Sequence, residues 1–166
     1  MTRQLSWYGR SVDEARWLDE REARVWRGII GVQQRLSAVL ERRLTRDGGL
    51  SGAEYTLLVP LSEAQDGLLR ARDLGRMVGW ERSRISHQVA RMEKRGLVAR
   101  EECSEDARGS MVRLTDAGRA AIVAAAPAHV AAVRQYFFDA LTDAELDVIG
   151  PALERVLDRL PESDGV

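Results

Sequence analysis

Between positions 82 and 95 the chain carries Arg82, Ser83, Arg84, Ser86, His87, Gln88 and Arg91, interleaved with Ile85, Val89 and Met92. On a helix the three apolar residues, at i, i+4 and i+7, share one inward face and leave the donors largely on the outer one. A surface built from guanidinium, hydroxyl, imidazole and amide donors suits acceptors such as phosphate oxygens, or base edges in a major groove. Arg82, Arg84 and Arg91 have the reach for guanine edges or phosphates, whereas Ser83, Ser86, His87 and Gln88 act at shorter range. The sequence leaves open which does which. The bland alternative is a solvated face in an arginine-preferring chain, since Lys94 is its one lysine.

The surrounding pattern supplies the elements that would hold this face. A helix predicted from about Ala71 to Val78 stops at Gly79, a residue suited to the left-handed position after a helix, and only three residues separate it from the helix predicted over 82–95, itself stopped by Gly96. Residues 97–103 and 110–114 read as two strands of a hairpin around Ser104-Glu-Asp-Ala-Arg-Gly109, and Leu68 to Arg70 as a short strand after the turn at Asp66-Gly67. Together these read as helix, tight turn, helix and hairpin.

Long helices flank this module. Residues 11–46 carry Val25, Ile29, Val32, Leu36, Val39, Leu40 and Leu44 at the spacing of one buried face, stopped by Asp47-Gly-Gly49. Ser51-Gly-Ala-Glu54 and Thr142-Asp-Ala-Glu145 have the form of capping boxes, and Thr115 is an N-cap for an Ala-rich helix. Pro127 and Pro151 are expected to kink or bend the last two helices. The apolar surface of these helices exceeds what the small module can cover, and a two-fold dimer would bury it. The expected division is residues 1–50 as N-terminal segment and first dimerisation helix, 51–114 as the reading module, and 115–166 as C-terminal dimerisation helices, in one intertwined unit.

Composition narrows the classes. The 166 residues carry a formal net charge of −1. Residues 70–95 hold eight basic side chains (Arg70, Arg72, Arg76, Arg82, Arg84, Arg91, Lys94, Arg95) and three acidic ones (Asp73, Glu81, Glu93), a local +5 against −6 elsewhere. A neutral total therefore hides a cationic module on an acidic body. One Cys and two His fall short of a disulfide framework or a zinc ligand set. No apolar run is long enough to span a bilayer and the N-terminus lacks a secretory apolar region, so the expected location is the cytoplasm. No phosphate-binding Gly loop, Ser/His/Asp signature or metal cluster is visible, so no cofactor and no catalysis are expected.

The run from Gly79 to Val98, followed by Glu105-Asp-Ala-Arg-Gly109 and Leu114-Thr-Asp-Ala-Gly118, resembles the core of a MarR-family transcriptional regulator, as does Ser51-Gly-Ala-Glu-Tyr55. The resemblance implies a mainly α fold with a small β-hairpin wing, a winged helix-turn-helix joined to dimerisation helices from both chain ends. It also implies a homodimeric repressor of a pseudo-palindromic operator on double-stranded DNA. Arg82 to Arg91 would then lie on the recognition helix and Arg108 on the wing, with Asp106 bracing the loop. Family members often respond to small aromatic or phenolic effectors, for which Trp17, Trp26 and Tyr55 are candidate contacts, although helix aromatics also serve as core. Cys103 is the one candidate for oxidant sensing, and neighbouring Glu101, Glu102 and Glu105 argue against it by disfavouring a thiolate. The competing class is a helical protein-interaction module on the same scaffold, without specific DNA binding.

Overall fold

The structure, a computed structural model, describes residues 16–102 and 110–161. Two compact units divide the chain, one ending at Ser37 and one beginning at Ala38.

In the first unit, α1 (Glu20–Gly48) starts nine residues later than periodicity suggests. Residues 16–19 are not helical, and 11–15 lie outside the described residues. The start is set by a reciprocal cap. The Glu22 N–H donates to Asp19 Oδ1 at 2.7 Å, and the Asp19 N–H donates to Glu22 Oε2 at 2.9 Å. Counting apolar spacing favoured an earlier start, but local capping chemistry decides the boundary. Within one chain Val25, Ile29 and Val32 of the apolar stripe are about half exposed, in keeping with a surface larger than the small module can cover.

The second unit holds the last turns of α1, α2 (Gly52–Glu63), β1 (Leu68–Arg70), α3 (Ala71–Val78), α4 (Arg82–Lys94), β2 (Val98–Glu102), β3 (Ser110–Leu114), α5 (Asp116–Tyr136) and α6 (Asp143–Leu157). The expected hairpin is one part of a three-stranded antiparallel sheet in the order β1-β3-β2, with Leu69 and Arg100 on either side of Val112. The core gathers Leu57, Leu58 and Leu61 of α2, Leu74 of α3, Ile85, Val89 and Met92 of α4, Val98 and Val112 of the sheet, and Ile122 of α5. Burying these side chains from both helices of the turn fixes the angle between them.

Both predicted capping boxes form, at Ser51/Glu54 and Thr142/Glu145, and Thr115 caps α5 by accepting the Gly118 N–H at 3.0 Å. The Thr115 hydroxyl also donates to the Gly96 carbonyl at 2.6 Å, and its N–H to the Leu97 carbonyl at 3.2 Å. At Gly118 an added Cβ would sit 2.0 Å from that Leu97 oxygen, so the helix start approaches the end of α4 only because this residue has no side chain. Both α5 and α6 run on through Pro127 and Pro151. Along α6, Val148, Leu153, Val156 and Leu157 are exposed, in line with the expectation that these helices carry more apolar surface than the small module covers.

Candidate nucleic-acid interface

The turn between α3 and α4 closes on a buried glycine. The Trp80 N–H donates to the Gly75 carbonyl at 2.9 Å, while a Cβ on Gly75 would meet the Trp80 oxygen at 3.1 Å and Ile85 Cγ1 at 3.3 Å. Gly79 takes the left-handed conformation, φ +66°, and its N–H bonds to the Arg76 carbonyl at 3.2 Å. Two glycines thus set how closely α4 follows α3.

With Ile85, Val89 and Met92 buried, α4 exposes Arg82, Ser83, Arg84, Ser86, His87 and Arg91 on its outer side, with Gln88 half-buried. Every sequence-predicted side chain of α4 therefore lies on or beside one outer surface. The side chain of Glu81, the residue before α4, makes no capping bond to the free N–H groups of the helix start.

The basic residues counted around this helix are not equivalent. Arg95 donates from Nη1 to both oxygens of Glu54 at 2.6 Å and from Nη2 to the Gly49 carbonyl at 2.9 Å. Glu54 is buried and also accepts the Ser51 N–H at 2.8 Å and its hydroxyl at 3.0 Å. Burial alone would raise the Glu54 carboxyl, but the hydrogen bonds from Ser51 and Arg95, with the guanidinium charge, hold it below the usual carboxylate range. Arg72 and Arg76 both lie within ion-pair distance of Asp73, at 3.7 and 3.5 Å. Arg82, Arg91 and Lys94 make no ion pair among the described residues. The +5 of the sequence count is thus partly consumed inside the fold.

Two contacts have no counterpart in the residue count. The Arg84 guanidinium lies over the Trp80 ring, Cζ 3.8 Å from its centroid. Arg100 of β2 donates from Nη2 to the Ser86 carbonyl at 2.8 Å, and its N–H donates to Glu93 Oε1 at 3.2 Å, tying the wing to α4. An aromatic four residues before an arginine at a helix start was the available signal for the first. The second joins residues on different elements and has no local signature. On the other side of the wing, Arg113 of β3 pairs with Glu101 of β2.

Arg108, Asp106 and Cys103 lie outside the described residues. Trp17 and Trp26 belong to the first unit and are exposed, Trp26 lining an open groove with Leu18, Val25 and Ile29. Tyr55 belongs to the second, where its ring packs against His129, tilted by 37° with centroids 4.3 Å apart. His129 Nδ1 is buried with no hydrogen-bond partner among the described residues, and burial holds its pKa below the usual value. Among the described residues no group of three or more His, Cys, Asp or Glu side chains is placed to hold a metal, and no helix is long and apolar enough to cross a membrane.

Known proteins share this fold. A sequence model of the MarR family matches residues 48–109. The crystal structure of Sco3205, a MarR family transcriptional regulator from Streptomyces coelicolor in complex with DNA, is 41% identical, covers 92% of this chain and 97% of its own, and superposes with a TM-score of 0.85. AbsC, a MarR family transcriptional regulator from the same organism, is 38% identical over 87% of this chain and 97% of its own, with a TM-score of 0.82. The HTH-type transcriptional repressor YetL of Bacillus subtilis (strain 168) is 22% identical over 142 residues, 84% of each chain.

Proposed function

This chain belongs to the MarR family of winged helix-turn-helix transcriptional regulators, and we propose on that footing that it is a homodimeric repressor that reads a pseudo-palindromic operator through α4 and the wing. The observation that carries the DNA-binding reading is the outer surface of α4, where Arg82, Ser83, Arg84, Ser86, His87 and Arg91 are exposed together above a buried Ile85, Val89 and Met92. In this reading α4 enters the major groove, Gln88 adds a contact at its edge, and Arg108 reaches from the wing into the neighbouring minor groove with Asp106 bracing its loop. The likeness to Sco3205, solved in complex with DNA, supports it.

The dimer reading rests on apolar side chains that one chain leaves in water: Val25, Ile29 and Val32 on α1, and Val148, Leu153, Val156 and Leu157 on α6. A second copy would cover them and set two α4 helices about one DNA turn, roughly 34 Å, apart. Occupying a promoter in this way excludes other proteins from it, and the similar YetL is a repressor. A small aromatic effector that favours another spacing would lower operator affinity by the difference in its affinity for the two states. Trp17, Trp26 and Tyr55 are its candidate contacts.

The test is selection of bound duplexes from a random pool, which should return an inverted repeat. Arg108→Ala should then weaken binding to that repeat across a salt series while leaving thermal unfolding unchanged. A pool that returns no repeat, or a chain that sediments as a monomer at micromolar concentration, overturns the reading.

A further inference from the structure

Three arginines share the outer surface of α4, and the residue pattern alone does not separate their roles. The structure distinguishes them. Side chains on a helix lean toward its N-terminus, so Arg84 in the first turn of α4 lies back over the residue four positions earlier, Trp80. Trp80 is itself fixed: its N–H is bonded to Gly75, and its side chain packs against the core. Its indole therefore offers a rigid plane, and the guanidinium sits 3.8 Å from the ring centroid. Arg82 and Arg91 are exposed without any such support among the described residues.

We infer that Arg84, stacked on Trp80, is the base-reading arginine of α4, contacting a guanine edge in each half-site, while Arg82 and Arg91 serve phosphates. This inference rests on the DNA-binding reading above. A guanidinium is a planar fork, and bidentate pairing with guanine O6 and N7 demands one orientation of that plane. Stacking orients the plane before DNA arrives and lowers the ordering cost of the contact, leaving the fork's edge free to donate. A phosphate contact makes no such demand, since charge alone carries most of it. Trp80 is then a positioning residue that touches no base, and its loss should blur recognition at the position Arg84 reads.

The experiment repeats the duplex selection with Arg84→Lys, Trp80→Leu and Arg91→Lys, then measures affinity for the parent consensus and its single-position variants over a salt series. Arg84→Lys keeps the charge but not the fork. It should leave the salt dependence nearly unchanged while collapsing a guanine preference of roughly 5- to 150-fold at one position per half-site toward parity. Trp80→Leu should reduce the preference at that same position and leave the others intact, and Arg91→Lys should alter none. If Trp80→Leu fails to fold, Trp80→Phe, with a smaller aromatic face, should give a partial reduction at that position. An Arg84→Lys protein that retains every base preference overturns the inference, as does an aromatic substitution that lowers affinity equally at all positions. A parent protein that selects no repeat overturns the DNA-binding reading itself, a distinguishable result.

Discussion

Replacing Arg95 by Ala should expose how much of the fold hangs on the carboxylate of Glu54. In the parent that carboxylate is buried, with 4% of the residue exposed, and it accepts from the Ser51 N–H, the Ser51 hydroxyl and Arg95. Breaking a fully buried ion pair costs about 3–5 kcal/mol. Here the Arg95 side chain is half exposed and Glu54 keeps both bonds from Ser51, so the expected loss at pH 7 is smaller, about 2 kcal/mol. The pH dependence gives the sharper test. The folded Glu54 carboxyl lies below its ordinary value, so its contribution is present above the unfolded pKa of about 4.3 and is lost as pH falls through the folded one. Without Arg95, burial faces only the Ser51 bonds and the folded pKa rises. The variant's deficit should therefore narrow as pH drops through that raised value, where its carboxylate takes up a proton and the unpaired charge disappears. Urea unfolding at one fixed protein concentration, from pH 7 down to 4, measures this in the parent, Arg95→Ala, Glu54→Gln and the double variant. A coupling energy below about 0.3 kcal/mol, within the additivity of independent sites, or a deficit that is flat with pH, would refute the reasoning.

Two other substitutions test different forces. Gly118→Ala pushes a methyl to within 2.0 Å of the Leu97 carbonyl and should destabilise by about 3 kcal/mol, read as a lowered denaturant midpoint; a wild-type midpoint would show that the α4–α5 approach is looser than described. Burial lowers the folded pKa of His129 below the unfolded value of about 6.5, so its contribution is present above that pH and is lost as pH falls through the folded pKa. Unfolding curves at pH 7, 6 and 5 should show a slope in the parent that His129→Gln flattens; an unchanged slope assigns the dependence to other groups.

The parts of the fold legible in the sequence are those decided within a few residues. Ser51 with Glu54, Thr142 with Glu145, Thr115 with Gly118, and the stops at Gly79 and Gly96 all act across one helical turn, and their residue types declare them. The inner and outer faces of α4 were legible for the same reason, because periodicity is local. Partners brought together by the tertiary fold were not. Nothing near Arg95 announces Glu54, 41 residues away, so a charge count assigned that arginine to the cationic surface when it closes a buried pair. Likewise β1 reads as a strand, but its seat beside β3, opposite β2, depends on the whole chain closing. Periodicity along α1 and α6 correctly marks apolar faces yet is silent on what covers them, which is why Val25 and Val156 stand exposed in the single chain. At Asp19 the cap is as local as the others, but the helix assigned from apolar spacing runs past it and masks the boundary it sets.

The junction at Thr115 has a mechanical consequence. One hydroxyl is shared between the Gly96 carbonyl, just past α4, and the Gly118 N–H at the start of α5, and the missing Cβ of Gly118 lets the start of α5 bear directly on the Leu97 backbone. Sliding one past the other by an ångström would break these bonds and compress that contact, so the junction works as a pivot rather than a sliding joint. The 21 residues of α5 form an arm about 30 Å long from it. A displacement of about 2 Å at the Tyr136 end would turn the arm about that junction by roughly 4°. Flexure along the arm is easiest at Pro127, where the helix lacks a backbone donor. A bend at Pro127 would absorb part of any motion at the far end of α5 before it reached the Thr115 junction.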